Sequence, residues 1–305
     1  MDSRRAHRPS ELAPRAGHFP PGFEARVARL VHEAAARRRT PREDQAGAAL
    51  RLQGAGGEFA GRRRYRPGDD LRAFDWDLYA RGQGEHLRIT SPESGERWCV
   101  VVDSSASMGV GARTGAHGGR PKLELAVQLA YGLCALGLSW GHQVSLAVGE
   151  RWVSLSSSAD LPLARAALAE LPWAGRAELA PWFGRPALAR VRRWILVGDL
   201  LDLEPRLIAG MAAARRRIDA VAVLAGIEWA PLEHCGGAVK WLDPESLEEL
   251  EVHVDPGRAR DYATALGQHL EHWRSALART RGVLLLARAD DDFEPHLARY
   301  ARTCP

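Results

Sequence analysis

Two short stretches of the sequence carry oxygen ligands in a pattern suited to a hard divalent cation. The first is Asp103-Ser104-Ser105-Ala106-Ser107, a D-x-S-x-S directly after the apolar run Trp98-Cys99-Val100-Val101-Val102. The second is Gly198-Asp199, with Asp202 three residues on, directly after Trp194-Ile195-Leu196-Val197. Carboxylates and hydroxyls are the ligands that Mg²⁺ and Ca²⁺ select, and neither stretch holds an imidazole or a thiolate. Alternation of Asp103, Ser105 and Ser107 on a turn leaving a strand aims three oxygens at one point. An aspartate from a neighbouring strand end, Asp199, supplies the opposing charge. A bare D-x-S-x-S is a weak signal, because the same residues cap helices and stabilise turns. Its place after a buried-type strand, matched by a second strand-end aspartate far along the chain, gives it weight.

A second group of charges lies upstream, where Asp69, Asp70, Asp75 and Asp77 follow Arg62, Arg63, Arg64 and Arg66 around Tyr65. Local ion pairing is the preferred reading, since the arginines equal the aspartates in number. Two alternatives stand beside it. The four carboxylates could hold a cation for metal-assisted phosphoester hydrolysis, or Arg62–Arg66 could form a basic aromatic patch for nucleic acid. Trp76 reads as a packing anchor against the main domain. The 11 histidines are scattered without HExxH or H-x-x-x-H spacing, and His269 and His272 read as part of a solvated helix face. Cys99, Cys134, Cys235 and Cys304 contain no CxxC pair, and the apolar surroundings of Cys99 and Cys134 predict inert buried thiols. With no base–nucleophile pairing and no phosphate-cradling loop, the expectation is a protein that is not an enzyme.

The elements that must position these residues are legible from periodicity. A helix starts at Phe23, with Val27, Leu30, Val31 and Ala34 at helical spacing, and Pro41 stops it. Short strands are expected around Tyr65 and over 86–90. From about 97 onward, strand and helix alternate. Strands are predicted at 98–102, 143–148, 152–155, 194–197, 220–224, 239–242 and 283–287. Helices are predicted at 121–138 (apolar on the side of Leu123, Val127, Ala130, Tyr131, Cys134 and Leu138), 161–171, 182–190, 204–216, 258–279 and 293–300. That alternation argues for an α/β, doubly wound, mostly parallel sheet with helices on both faces. The organisation expected is a disordered tail over 1–22, an N-terminal region of a helix and short strands over 23–92, and the main domain over 93–305.

Composition agrees with a globular chain. Its 305 residues are 46% hydrophobic and 26% charged, and 42 basic against 38 acidic residues leave a net charge of +4, too weak by itself to argue for nucleic acid. All basic residues but Lys122 and Lys240 are arginine, which reads as composition bias. No apolar stretch approaches bilayer length and the first 20 residues lack an apolar signal core, so a soluble cytoplasmic protein with no membrane partner is expected.

Tyr65-Arg66-Pro67-Gly68-Asp69-Asp70-Leu71-Arg72-Ala73-Phe74-Asp75-Trp76, with Ala80-Arg81 after it, resembles the signature Y-x-x-G-D-D-x-R-x-I-D-W-x-x-x-A-R of the DUF58 family. Phe74 replaces the aliphatic residue; Tyr65, Gly68, Asp69, Asp70, Arg72, Asp75, Trp76 and Arg81 match. The apolar strand, DSSAS, helix and later VGD also resemble the von Willebrand factor A fold with its metal-ion-dependent adhesion site (MIDAS). The resemblance implies a metal-dependent protein–protein interaction module, a partner of MoxR-type AAA+ ATPases. It implies Mg²⁺ held by Asp103, Ser105, Ser107 and Asp199, with one coordination position left for a partner's carboxylate. The fold's threonine ligand falls at Gly175-Arg176-Ala177-Glu178, where Ala177 leaves the set one hydroxyl short and Glu178 or Thr114 stands as the substitute.

Overall fold

A computed structural model describes residues 17–38, 59–67, 69, 71, 74–90, 95–111, 120–176, 180–201, 208, 211–212, 214–231 and 236–304. The chain opens with helix α1 (Phe23–Arg38), then a two-stranded antiparallel ribbon of β1 (Phe59–Arg64) and β2 (His86–Thr90), with the short helix α2 (Trp76–Ala80) between them. Next come β3 (Gly95–Val102), α3 (Lys122–Ser139), β4 (His142–Val148), β5 (Arg151–Leu155), α4 (Leu161–Ala169), α5 (Ala180–Phe183), β6 (Arg193–Gly198), β7 (Arg217–Leu224) and α6 (Gly226–Trp229). The chain closes with β8 (Gly237–Leu242), β9 (Glu249–Val254), α7 (Pro256–Ala278), β10 (Leu284–Arg288) and α8 (Phe293–Thr303).

Six strands form the central sheet in the order β10-β7-β6-β3-β4-β5. All neighbours are parallel except β5, which turns back antiparallel on β4. That reversal needs a two-residue turn, and Gly149 supplies it at φ +54°, where a side chain would be strained. Apolar runs form the inner strands because both faces are covered. On β3, Trp98, Val100 and Val102 enter one core while Cys99 and Val101 enter the other. The predicted α/β, doubly wound, mostly parallel sheet is the architecture of the chain.

The first core is organised by α3, which the sequence predicts to be apolar on one side. Every residue from Lys122 to Gly137 except the half-buried Glu124 is buried, as in a helix that is hydrophobic all round. α1, α4 and α8 flank it. Phe23 of α1 sits 5.4 Å from the Tyr131 ring and 4.8 Å from the Phe293 ring, so α1 packs into the main helix layer. Of the expected tail, residues 1–16 lie outside the described residues, and the rest is ordered: His18 is buried and its carbonyl accepts from Gln128 Nε2 at 2.6 Å. On the opposite face, Trp273, Ala276 and Leu277 of α7 cover Trp194, Ile218 and Ala220.

Three further differences from the sequence reading have local causes. The helix predicted at 182–190 breaks into α5 and a 3₁₀ turn over Pro186–Leu188, because Pro186 removes a backbone donor. The predicted strand at 239–242 pairs not with the main sheet but with β9, in a separate antiparallel ribbon. The helix predicted at 204–216 falls mostly outside the described residues, although Ile208 and Met211 are buried in the second core. On β7, Asp219 is fully buried and accepts from Arg193 Nε at 2.7 Å, Arg217 Nε at 3.0 Å, Tyr300 Oη at 2.8 Å and the Val283 amide at 3.0 Å. Cys99, Cys134 and Cys304 are buried free thiols, and burial pushes the first two well above the ordinary thiol range. Among the described residues, no helix is long and apolar enough to cross a membrane.

Candidate functional site at the carboxyl ends of the central strands

From β3 the chain crosses to β4 on one side, and it later enters β6 on the other side of β3. Strand order therefore reverses between β3 and β6, and a crevice outside their carboxyl ends is where doubly wound sheets bind. Asp103 and Asp199 stand there, one directly after each strand. The Asp103 amide continues the ladder, donating to the Val197 carbonyl at 2.8 Å. Gly198 makes the close approach feasible, because a Cβ there would lie 2.5 Å from Asp103 Cβ.

The D-x-S-x-S turn folds as its residue types dictate. Asp103 Oδ1 accepts from the Ser105 amide at 2.8 Å, closing an Asx turn. Ser107 Oγ donates to Asp199 Oδ2 at 2.9 Å and lies 2.9 Å from Ser105 Oγ. With the Ser107 proton committed to Asp199, the Ser105 hydroxyl is the donor between the serines. The four predicted residues Asp103, Ser105, Ser107 and Asp199 thus meet through one hydrogen-bond chain. Asp199 Oδ1 in turn accepts from the Leu201 amide at 3.1 Å.

A cation already holds the acidic end of this chain. Lys122, the first residue of α3, is fully buried; its ammonium donates to Asp199 Oδ2 at 2.7 Å and to Glu228 Oε1 at 2.5 Å. The other Glu228 oxygen, Oε2, accepts from the Ala225 amide at 2.8 Å, capping α6. Burial works against all three charges. It is outweighed at Asp199, whose carboxyl is held below its usual range by the charge and hydrogen bond of Lys122. It is outweighed also at Lys122, raised by Glu228 and Asp199. Glu228 is raised, by burial. Asp103 is pushed up to about 6 by burial and then by the charge of Asp199.

A divalent cation fits these residues poorly. To use Asp199 Oδ2 it would have to displace an ammonium with which it also shares the sign of its charge. Among the described residues, no group of three or more His, Cys, Asp or Glu could hold a metal ion. The expected threonine position does not bear on this: Ala177 and Glu178, like Thr114 and Asp202, lie outside the described residues. The loop before them does reach the site, with the Ala174 amide donating to the Ser104 carbonyl at 3.0 Å and the Ala106 amide to the Gly175 carbonyl at 2.9 Å. On the β6 side, Leu200 adopts φ +63°, a conformation that non-glycine residues hold only where their surroundings impose it. Its side chain is buried, and its carbonyl faces His269 Nε2 at 3.0 Å. His269 is therefore a contact of this loop, in place of the solvated helix face expected for it.

The upstream aspartates are used differently. Asp75 is buried, accepts from the Leu78 amide at 3.1 Å as the N-cap of α2, and pairs with Arg62 Nε at 2.8 Å. Asp69 accepts from the Arg66 amide at 2.7 Å. These contacts are of the local kind that the arginine–aspartate balance suggests, and they engage two of the four carboxylates of the hydrolase alternative. Asp77 lies in the first turn of α2 and Arg81 ends that helix; Gly68, Asp70 and Arg72 lie outside the described residues. Trp76 is 61% exposed and leans on Phe74, with centroids 4.7 Å apart, so it is no buried anchor.

The family model described as "Protein of unknown function DUF58" matches residues 61–272. The chain belongs to the DUF58 family. Similar curated relatives of this DUF58 chain are "Uncharacterized protein Rv1480" of Mycobacterium tuberculosis and "Uncharacterized protein Mb1516" of Mycobacterium bovis. Each is 29% identical over 279 residues, covering 82% of this chain and 80% of the relative. Among solved structures, the hypothetical protein BatB from Bacteroides thetaiotaomicron aligns with TM-score 0.40 and 13% identity, over 68% of this chain and 97% of that one. An aerotolerance-related membrane protein from Bacteroides fragilis aligns with TM-score 0.37 and 12% identity, over the same shares.

Sequence reasoning missed Lys122 and Glu228. The signal for Lys122 was there in the DUF58 chain's composition. Where nearly every cation is arginine, a lone lysine opening an apolar helix marks a place where a planar guanidinium does not serve and a compact point charge does. Nothing in the sequence ties Glu228 to it, since the pair forms only when α3 and α6 meet.

Proposed function

We propose that this DUF58 chain is a non-catalytic docking module that receives a protein partner on the surface formed by residues 104–107, 174–176 and 199–201. The observation that supports this most is the meeting of two separate strand-end loops at the point where strand order reverses, tied by the Ser107–Asp199 hydrogen bond. Both strand-end loops leave inner strands of the sheet, and the surface is half-exposed, because Ser104, Ala106, Ser107 and Leu201 keep access to solvent. It offers hydroxyls and backbone groups for recognition. The partner suggested by the family resemblance is a MoxR-type AAA+ ATPase.

The test is capture of a purified MoxR-type ATPase from the same genome by immobilised protein, with wild type compared with Ser104→Arg and Arg176→Glu. Both positions lie on the proposed surface, so each variant should lower capture at least about tenfold; the melting temperature should stay close to wild type in Ser104→Arg and fall modestly in Arg176→Glu, which loses the Arg176–Glu245 ion pair. Undiminished capture by both folded variants would remove this surface from the function.

A further inference from the structure

We propose that the Lys122 ammonium is the resident cation of this strand-end site, standing where the oxygen pattern calls for a divalent ion, so that the site is complete without metal. The inference deepens the docking reading and rests on it only for where the partner binds. First, the ammonium engages the same carboxylate oxygen, Asp199 Oδ2, that receives the Ser107 hydroxyl. The serine hydroxyls predicted for a metal thus chain to Asp199 Oδ2, the oxygen on which Nζ also converges. Second, Lys122 is fully buried and is held from a second side by Glu228, which is outside the predicted ligand set. A buried lysine clamped by two carboxylates is a built feature, because an unpaired buried ammonium is strongly disfavoured. Third, it is one of only two lysines in a chain whose basic residues are otherwise arginine. Arginine would bring a wide planar fork, whereas an ammonium is a compact charge with tetrahedral donors, nearer to a small ion in size.

The consequence is a change in how the partner is held. A metal would present an open coordination position to an incoming carboxylate, but a buried ammonium presents nothing outside. Recognition then falls to the serine hydroxyls and the loop backbone, and docking does not depend on divalent ions.

Calorimetric titration of the full-length wild-type protein with Mg²⁺, and separately with Mn²⁺, should give no saturable heat, and neither ion should shift its melting temperature. In Lys122→Ser, loss of the buried pair should lower the melting temperature by about 6–10 °C. Millimolar Mg²⁺ or Mn²⁺ should restore part of that loss by entering the vacated position. Saturable binding of either ion to wild type would overturn the proposal, and this reading stands even if the variant does not fold. Capture of the nucleotide-free ATPase should be equal in EDTA and in Mg²⁺. EDTA-sensitive capture of nucleotide-free ATPase would refute the metal-free site while leaving the docking reading intact. Failure of capture in both buffers would refute the docking reading, and calorimetry on wild type would still decide the cation.

Discussion

Asp103→Asn should make the protein more stable at neutral pH, although it alters the centre of the candidate site. Asp103 is 6% exposed and beside Asp199, and in the folded chain its carboxyl is pushed up to about 6 from an ordinary 3.8. The folded state therefore holds this proton more tightly than the unfolded state does. Stability from this group is complete below about pH 4 and is lost as pH rises through about 6. A displacement of about two pH units corresponds to about 3 kcal/mol. Asparagine keeps Oδ1 as acceptor for the Ser105 amide and carries no charge, so it escapes that loss. Urea unfolding followed by tryptophan fluorescence should place the variant as much as ~3 kcal/mol above wild type near pH 7.5, with the gap shrinking to ~1 kcal/mol near pH 4.5. A variant less stable than wild type near pH 7.5, or a gap of the same size at both pH values, would refute the electrostatic account.

Two further substitutions test the packing on which the site depends. Gly198→Ala would place a methyl 2.5 Å from Asp103 Cβ, so β6 or the Asp103 turn must shift, at a cost of about 1–3 kcal/mol in urea unfolding; a neutral result would show the strand ends to be looser than described. Asp219→Ala strips the partner from the buried Arg193 guanidinium and should cost about 3–5 kcal/mol. Tyr300→Phe, which removes only one hydroxyl from the same carboxylate, should cost about 1.5–3 kcal/mol. The double variant should lose less than the sum, because both changes act on one network, and strict additivity in a denaturation series would contradict that.

The parts of the fold legible beforehand are those set by short-range patterns. Val100–Val102, Ile195–Val197 and Val221–Val223 are continuous apolar runs, and such runs become inner strands wherever helices cover both faces. That Asp103, Ser105, Ser107 and Asp199 would meet is legible for the same reason: they follow such runs, and the ends of adjacent parallel strands lie together. What stayed hidden depends on partners distant in sequence. α3 looked amphipathic because the surroundings of Gln128 and Gly132 cannot be read locally; in the fold, Gln128 meets His18 and Gly132 lies where a Cβ would strike Leu297. β9 was hidden by exposed Leu250 and by glutamates that disguise its alternation. Lys122 reads as composition in the sequence, since a salt bridge spanning 77 positions to Asp199 leaves no local trace.

Because α3 is buried along most of its length and begins at Lys122, the base of the strand-end site is the end of a rod packed through the first core. Interiors this densely filled do not yield by degrees. A molecule docking as proposed would meet a packed base beneath Asp199, and its selectivity would have to come from fitting that base.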